Sequence, residues 1–116
     1  MSRGPRRGDV WWADLPPPRG SEPGSPRPVV VIQANRFNDS FISTIVVAVI
    51  TSNLSLAEAP GNVRLRPADS GLPKPSVVNV SQLVTLDRAF LRERVGVLPA
   101  GVLNVVAEGL RLVLAL

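Results

Sequence analysis

The chain of 116 residues contains no cysteine and no histidine. Without cysteine there is neither a disulfide framework nor a thiolate metal site. Without histidine the usual general acid–base side chain, the commonest zinc ligand and the ordinary switch near neutral pH are all missing. No cluster of carboxylates has the make-up of a divalent-cation site, so neither a metal nor any other cofactor is expected. There is no apolar run near the N-terminus, where residues 1–9 are basic and polar, so a secretory signal or a membrane span is not expected. The default compartment is then the cytoplasm of a bacterium, and no membrane partner is expected.

What is present begins with size and charge. A chain of this length supports one core and not two. One domain over residues 1–116 is expected, with residues 1–7 as a flexible basic tail. Thirteen Lys and Arg against nine Asp and Glu leave a net charge of +4, and nearly all the cations are Arg, which lifts the isoelectric point to about 11.3. A basic surface is the footprint of a polyanion binder. An Arg-rich composition over an ordinary solvated surface gives the same numbers, so charge alone does not decide.

Residues 8–15 read as a first strand, with Trp11 and Trp12 on opposite faces by the two-residue period. One is expected in the core and the other at a surface or interface. Pro16, Pro17 and Pro18 end this strand, because proline donates nothing to a ladder. The loop that follows, residues 16–26, is long, and its prolines stiffen it; such loops are often functional. Residues 28–33 and 44–50 are continuously apolar, as in strands buried on both faces. Between them, residues 35–43 suit a short helical turn. Residues 52–60 are a connector, and 63–66 alternate as a half-exposed strand with Arg64 and Arg66 in solvent. Residues 67–75 read as a loop turning at Asp69-Ser70-Gly71. Residues 76–86 suit two short strands or one strand kinked near Ser81.

The only clear helix runs from Pro99, which suits the first helical position, to Leu116. Asn104, Glu108, Arg111 and Ala115 form its narrow polar stripe, with Glu108 and Arg111 spaced to pair. Its wide apolar arc is expected to face both the sheet and a partner subunit. Several short strands with Pro/Gly turns and one C-terminal helix predict a mainly β fold, a small bent barrel or two packed sheets, and exclude repeated β-α-β units.

Four segments occur together in order and spacing. They are Gly8-Asp9-Val10-Trp11-Trp12-Ala13-Asp14-Leu15, then Gly20-Ser21-Glu22-x-Gly24-x-x-Arg27-Pro28-Val29-Val30-Val31-Ile32-Gln33, then a strand ending Ile50-Thr51, then Ser76-Val77-Val78 leading to Gln82-Leu83-Val84-Thr85-Leu86-Asp87. Together they resemble the MazF/PemK family of toxin endoribonucleases. The resemblance implies an SH3-like small β-barrel of the CcdB/MazF/PemK plasmid-maintenance type, with a C-terminal helix. It implies a homodimer and a cognate MazE-like antitoxin. It also implies sequence-specific, metal-independent cleavage of single-stranded RNA, mRNA in particular. The products would be 2′,3′-cyclic phosphate and 5′-hydroxyl ends, and growth would be inhibited. On this chain the family's catalytic pair falls on Arg27 and Thr51. Pro23, Pro26, Asn79 and Val84 depart from the family pattern; they leave that pair intact and bear on RNA sequence preference.

The residues themselves suit that chemistry. RNA carries its own nucleophile, the 2′-hydroxyl, so cleavage needs proton transfers and stabilisation of a phosphorane but no metal. A guanidinium is planar, charged and matched to phosphate, and a neighbouring hydroxyl can donate to a nonbridging oxygen. A guanidinium is a poor general base near neutrality, which makes Arg27 first a phosphate stabiliser. Glu22 is the nearest carboxylate in sequence for orienting Arg27 or taking a proton. Arg19, Ser52 and Gln82 are candidate RNA-binding or supporting residues. Each has a plainer counterpart: Arg27 can pair with Glu22 at a strand start, Thr51 can cap a turn, and Gln82 can satisfy a backbone group. Two other functions stay open on sequence, a gyrase-poisoning CcdB-like toxin and a non-catalytic RNA-binding module. An RNA cleavage assay separates them from a nuclease.

Overall fold

The apolar runs become six strands of one antiparallel sheet. The structure is a computed structural model, and it describes residues 4–16 and 26–116. In chain order the strands are β1 (Asp9–Asp14), β2 (Pro26–Val31), β3 (Thr44–Thr51), β4 (Val63–Leu65), β5 (Ser76–Asp87) and β6 (Leu91–Val97). In space their order is β4-β5-β3-β2-β1-β6. The sheet curls so that its two edge strands, β4 and β6, both contact one short helix, α2 (Pro67–Ser70). The result is a curled half-barrel bridged by a helix, with a second short helix, α1 (Asn35–Asn38), and the C-terminal helix α3 (Ala100–Leu114).

Continuous apolar strands are buried on both faces, as their composition requires. Val29, Val30 and Val31 are all fully buried. Val30 belongs to a cluster with Val10, Ala48, Ile50, Val78, Val80, Val106 and Leu110, beneath α3. Val29 and Val31 join Ala13, Ile45, Val47, Val49 and Leu86 on the other face. Trp12 packs on the first cluster and Trp11 on the second, so the expected alternation holds. Both rings are only half-buried, so neither is the core tryptophan that the sequence suggested.

The kink expected near Ser81 is a bulge. Ala48 of β3 faces Leu83 of β5, yet the next residue, Val49, faces Asn79. Residues 80–82 therefore have no counterpart on β3. The Val80 N–H that the ladder loses donates instead to Asn62 Oδ1 at 2.9 Å, and Asn62 Nδ2 donates to the Leu56 carbonyl at 2.9 Å. One buried amide is thus satisfied by a side chain, and the bend lets the first half of β5 pair with β4 as well.

Residues 67–70 are a helix and not the loop that Asp69-Ser70-Gly71 suggested. Pro67 opens it, where a missing N–H costs nothing. Asp69 accepts from the Arg66 backbone N–H at 3.1 Å and from the Arg66 guanidinium at 3.1 and 3.2 Å. Those bonds, the side-chain one first, hold the Asp69 carboxyl below its ordinary value and raise Arg66. A carboxylate lowered in the folded state stabilises fully above its unfolded pKa of about 3.9 and loses that contribution as pH falls through the folded value. The cap is therefore intact at neutral pH. Gly71 closes the helix with φ 80°, its N–H donating to the Pro67 carbonyl at 2.9 Å, a left-handed cap that suits glycine.

Helix α3 buries Val106, Gly109 and Leu110. Gly109 lies so close to Gly61 that a β-carbon on it would overlap the Gly61 carbonyl oxygen. Pro99 is not the first helical residue but the one before it, with extended ψ of 148° and no side-chain cap bond. The Glu108–Arg111 pair suggested by spacing does not form. Beyond the buried stripe, Val105, Leu112, Val113, Leu114 and Leu116 are 41–86% exposed. Residues 6 and 7 are not a frayed tail. Arg6 N–H donates to Asp9 Oδ2 at 2.8 Å, Arg7 N–H donates to Asn35 Oδ1 at 2.8 Å, and the Arg6 guanidinium pairs with Asp39. Among the described residues no helix is long and apolar enough to cross a membrane.

Candidate active site

Antiparallel pairing brings the start of β2 to the end of β3. Val29 faces Val49, and the same register carried two residues further sets Arg27 opposite Thr51. Arg27 also pairs across β1 with Ala13, and Thr51 pairs across β5 with Val77. Both backbones are therefore fixed by neighbouring strands, although the residues are far apart in sequence.

The two side chains line one cleft of about 370 Å³, together with Trp12, Ser52, Lys74 and Ser76 among others. Its described lining holds two cations and no carboxylate. Arg27 is exposed, and among the described residues its guanidinium has neither an ion-pair partner nor a hydrogen bond. Thr51 is half-buried, and its Oγ1 accepts the Asn53 N–H at 3.1 Å. This is the turn bond anticipated as the plainer role of Thr51, but it occupies only a lone pair. The hydroxyl proton remains to donate into the cleft. A planar cation and a free hydroxyl donor around one space can hold a phosphate and stabilise extra charge on its oxygens.

Of the other candidates, Ser52 lines this cleft and Gln82 does not. Gln82 is exposed on the β5 bulge, with Oε1 3.5 Å from Asn79 Nδ2. Arg19 and Glu22 lie outside the described residues. Sequence reasoning passed over Lys74 and Ser76 as members of the cleft; Trp12, which the sequence offered for packing or for stacking on bases, lines it too. For Lys74 a signal existed, since it is flanked by Pro73 and Pro75 in a stretch that was read only as a turn. A second cleft, lined by Trp12, Pro26, Arg92 and Glu93 and about 580 Å³ in volume, adjoins the first through Trp12 and Pro26.

Residues 6–114 match the family model described as the PemK-like, MazF-like toxin of type II toxin-antitoxin systems. The chain belongs to this family. The toxin is 50% identical over 110 residues to Endoribonuclease MazF6 of Mycobacterium tuberculosis strain H37Rv, covering 95% of this chain and 96% of that one. It is 43% identical over 89 residues to Endoribonuclease MazF of Staphylococcus saprophyticus, covering 77% and 73%. Its fold is similar to the crystal structure of MazE-MazF from Deinococcus radiodurans, with a TM-score of 0.79, 26% identity and 99% coverage of both chains. The toxin thus groups with endoribonucleases, which sets aside the gyrase-poisoning alternative.

Proposed function

We propose that this toxin endoribonuclease cleaves single-stranded RNA with Arg27 and Thr51 as its catalytic pair. The observation that carries the reading is their convergence on one cleft whose described lining has two cations and no carboxylate. In the proposed reaction the 2′-oxygen attacks the adjacent phosphorus and the 5′-oxygen departs, leaving a 2′,3′-cyclic phosphate and a 5′-hydroxyl. Arg27 and the Thr51 hydroxyl stabilise the charge gathered on the nonbridging oxygens. Glu22, five residues before Arg27, is the nearest carboxylate in sequence for taking the 2′ proton, and the departing 5′-oxygen gains a proton from water. Arg19 and Ser52 support the strand, and Gln82 stands outside this centre as a contact for RNA extending along the surface.

No metal enters this scheme, because the substrate supplies the nucleophile, the chain has no histidine or cysteine, and no group of three or more potential metal-ligating side chains forms among the described residues. Purified toxin is expected to cut single-stranded RNA in excess EDTA, and sequencing of the fragments should show 5′-hydroxyl ends. Cleavage that appears only on adding Mg²⁺ or Mn²⁺ would sink the scheme.

We further propose that the chain acts as one toxin domain in the bacterial cytoplasm, as a homodimer, and is neutralised by a MazE-like antitoxin. The apolar residues exposed on α3, Leu112 and Leu114 among them, support a partner subunit. A cationic cleft supports an acidic antitoxin segment in competition with RNA. Light scattering should give twice the 12.4 kDa chain mass. An uncleavable RNA analogue should weaken antitoxin binding, more strongly at low salt. A stable monomer at micromolar concentration, or antitoxin affinity unmoved by saturating RNA, contradicts the respective claim.

A further inference from the structure

We propose that Lys74 forms a second phosphate subsite, binding the RNA phosphate next to the one addressed by Arg27 and Thr51. The inference rests on the cleft being the RNA site. Lys74 is the only lysine in the chain, and it lines the cleft with Arg27 and Thr51. It has no ion-pair partner among the described residues. In a cleft whose described lining lacks any carboxylate, an ammonium is left to attract an external anion.

The segment that carries Lys74 is unusually constrained. On one side Leu72 is buried in the core, and its N–H donates to Ser70 Oγ at 3.0 Å. On the other side Ser76 is buried at the head of β5, and its hydroxyl donates to the Lys74 carbonyl at 3.0 Å. Pro73 and Pro75 fix their own φ angles, and Pro75 also restricts Lys74 to extended backbone. A solvated lysine on a plain surface needs none of this. Here the stem is positioned and only the side chain remains to adapt, which lowers the ordering cost of binding.

The division of labour follows from charge geometry. Arg27, with the Thr51 hydroxyl, offers several fixed donors suited to a phosphorus centre that changes shape. Lys74 is a compact point charge, suited to a phosphate that does not react. It is a positioning residue: it holds the strand in register and leaves the chemical step alone.

The test uses the full chain and a single-stranded RNA containing a site mapped from wild-type 5′-hydroxyl ends. Lys74→Ala should raise KM about tenfold, as for loss of one charged contact, with kcat near wild type. The slope of log affinity against log salt should fall by about 0.7, the value for one phosphate of a single strand. Lys74→Arg should restore most of both. Replacing the flanking phosphate by a neutral methylphosphonate should weaken wild type and leave Lys74→Ala unaffected. Amine-selective acetylation should reproduce the Lys74→Ala phenotype in wild type and spare Lys74→Arg. Unchanged KM and salt slope in Lys74→Ala, with Arg27→Ala inactive, overturns the subsite while the cleft keeps its assignment. Cleavage that persists in Arg27→Ala overturns the assignment of the cleft and the subsite with it.

Discussion

Arg27→Ala should cut kcat by roughly a hundredfold to a thousandfold, the usual loss when one preorganised donor is removed, while the protein stays folded. The separation of activity from stability is the point of the experiment. Arg27 is exposed and makes no side-chain bond among the described residues, so its removal is expected to change stability by no more than about 0.5 kcal/mol. Arg27→Lys should also be severely impaired, because an ammonium cannot reproduce the bidentate fork. Thr51→Ala should lose activity to a similar degree. It also removes the acceptor of the Asn53 N–H, so a stability loss of about 1 kcal/mol is expected beside it. Thr51→Ser keeps the hydroxyl and should keep most of the rate. Single-turnover cleavage and a thermal melt on each variant decide the matter. Unfolding in step with inactivation would show that these residues only hold the strands together.

The second large effect should come from Gly71. A β-carbon there would overlap the Val95 carbonyl oxygen, and one on Gly96 would overlap the Ser70 carbonyl oxygen. The end of α2 and strand β6 thus meet backbone to backbone across the gap in the barrel. Gly71→Ala adds a left-handed residue to this overlap and should cost about 3 kcal/mol, a fall in Tm of roughly 10–20 °C. Gly96→Ala should cost about 1–3 kcal/mol. Both break the same contact, so the double variant should lose less than the sum. A melt at the wild-type temperature for Gly71→Ala would refute the role given to this contact.

Much of the fold was legible because composition and burial agree. Val29, Val30 and Val31 can be consecutive and apolar only where both faces of a strand are covered, and they are. The register that joins Arg27 to Thr51 was not legible from spacing, since it depends on how two strands pair. It was the resemblance of the whole pattern that pointed to the pair. Two misreadings have local causes. Asp69-Ser70-Gly71 has turn chemistry, but Pro67 before it and the Asp69 bonds to Arg66 make it the end of a helix. Trp11 and Trp12 alternate as expected, yet a sheet curled over two clusters leaves each ring half covered. Lys74 went unnoticed because its companions in the cleft, Arg27 and Thr51, come from other strands, so the flanking prolines pointed to no site by themselves. Arg19 and Glu22 lie outside the described residues.

The backbone contact between Gly71 and β6 has a consequence for divergence. The wall of the cleft that bears Lys74 is positioned by this close backbone approach through two glycines and by the buried Ser70, Leu72 and Ser76 behind it. Geometry and identity are thereby uncoupled along this wall. The exposed side chain at position 74 can be exchanged by mutation without moving the peptide that presents it. A scaffold of this kind can change the RNA it prefers while keeping the proposed pair, Arg27 and Thr51, in place.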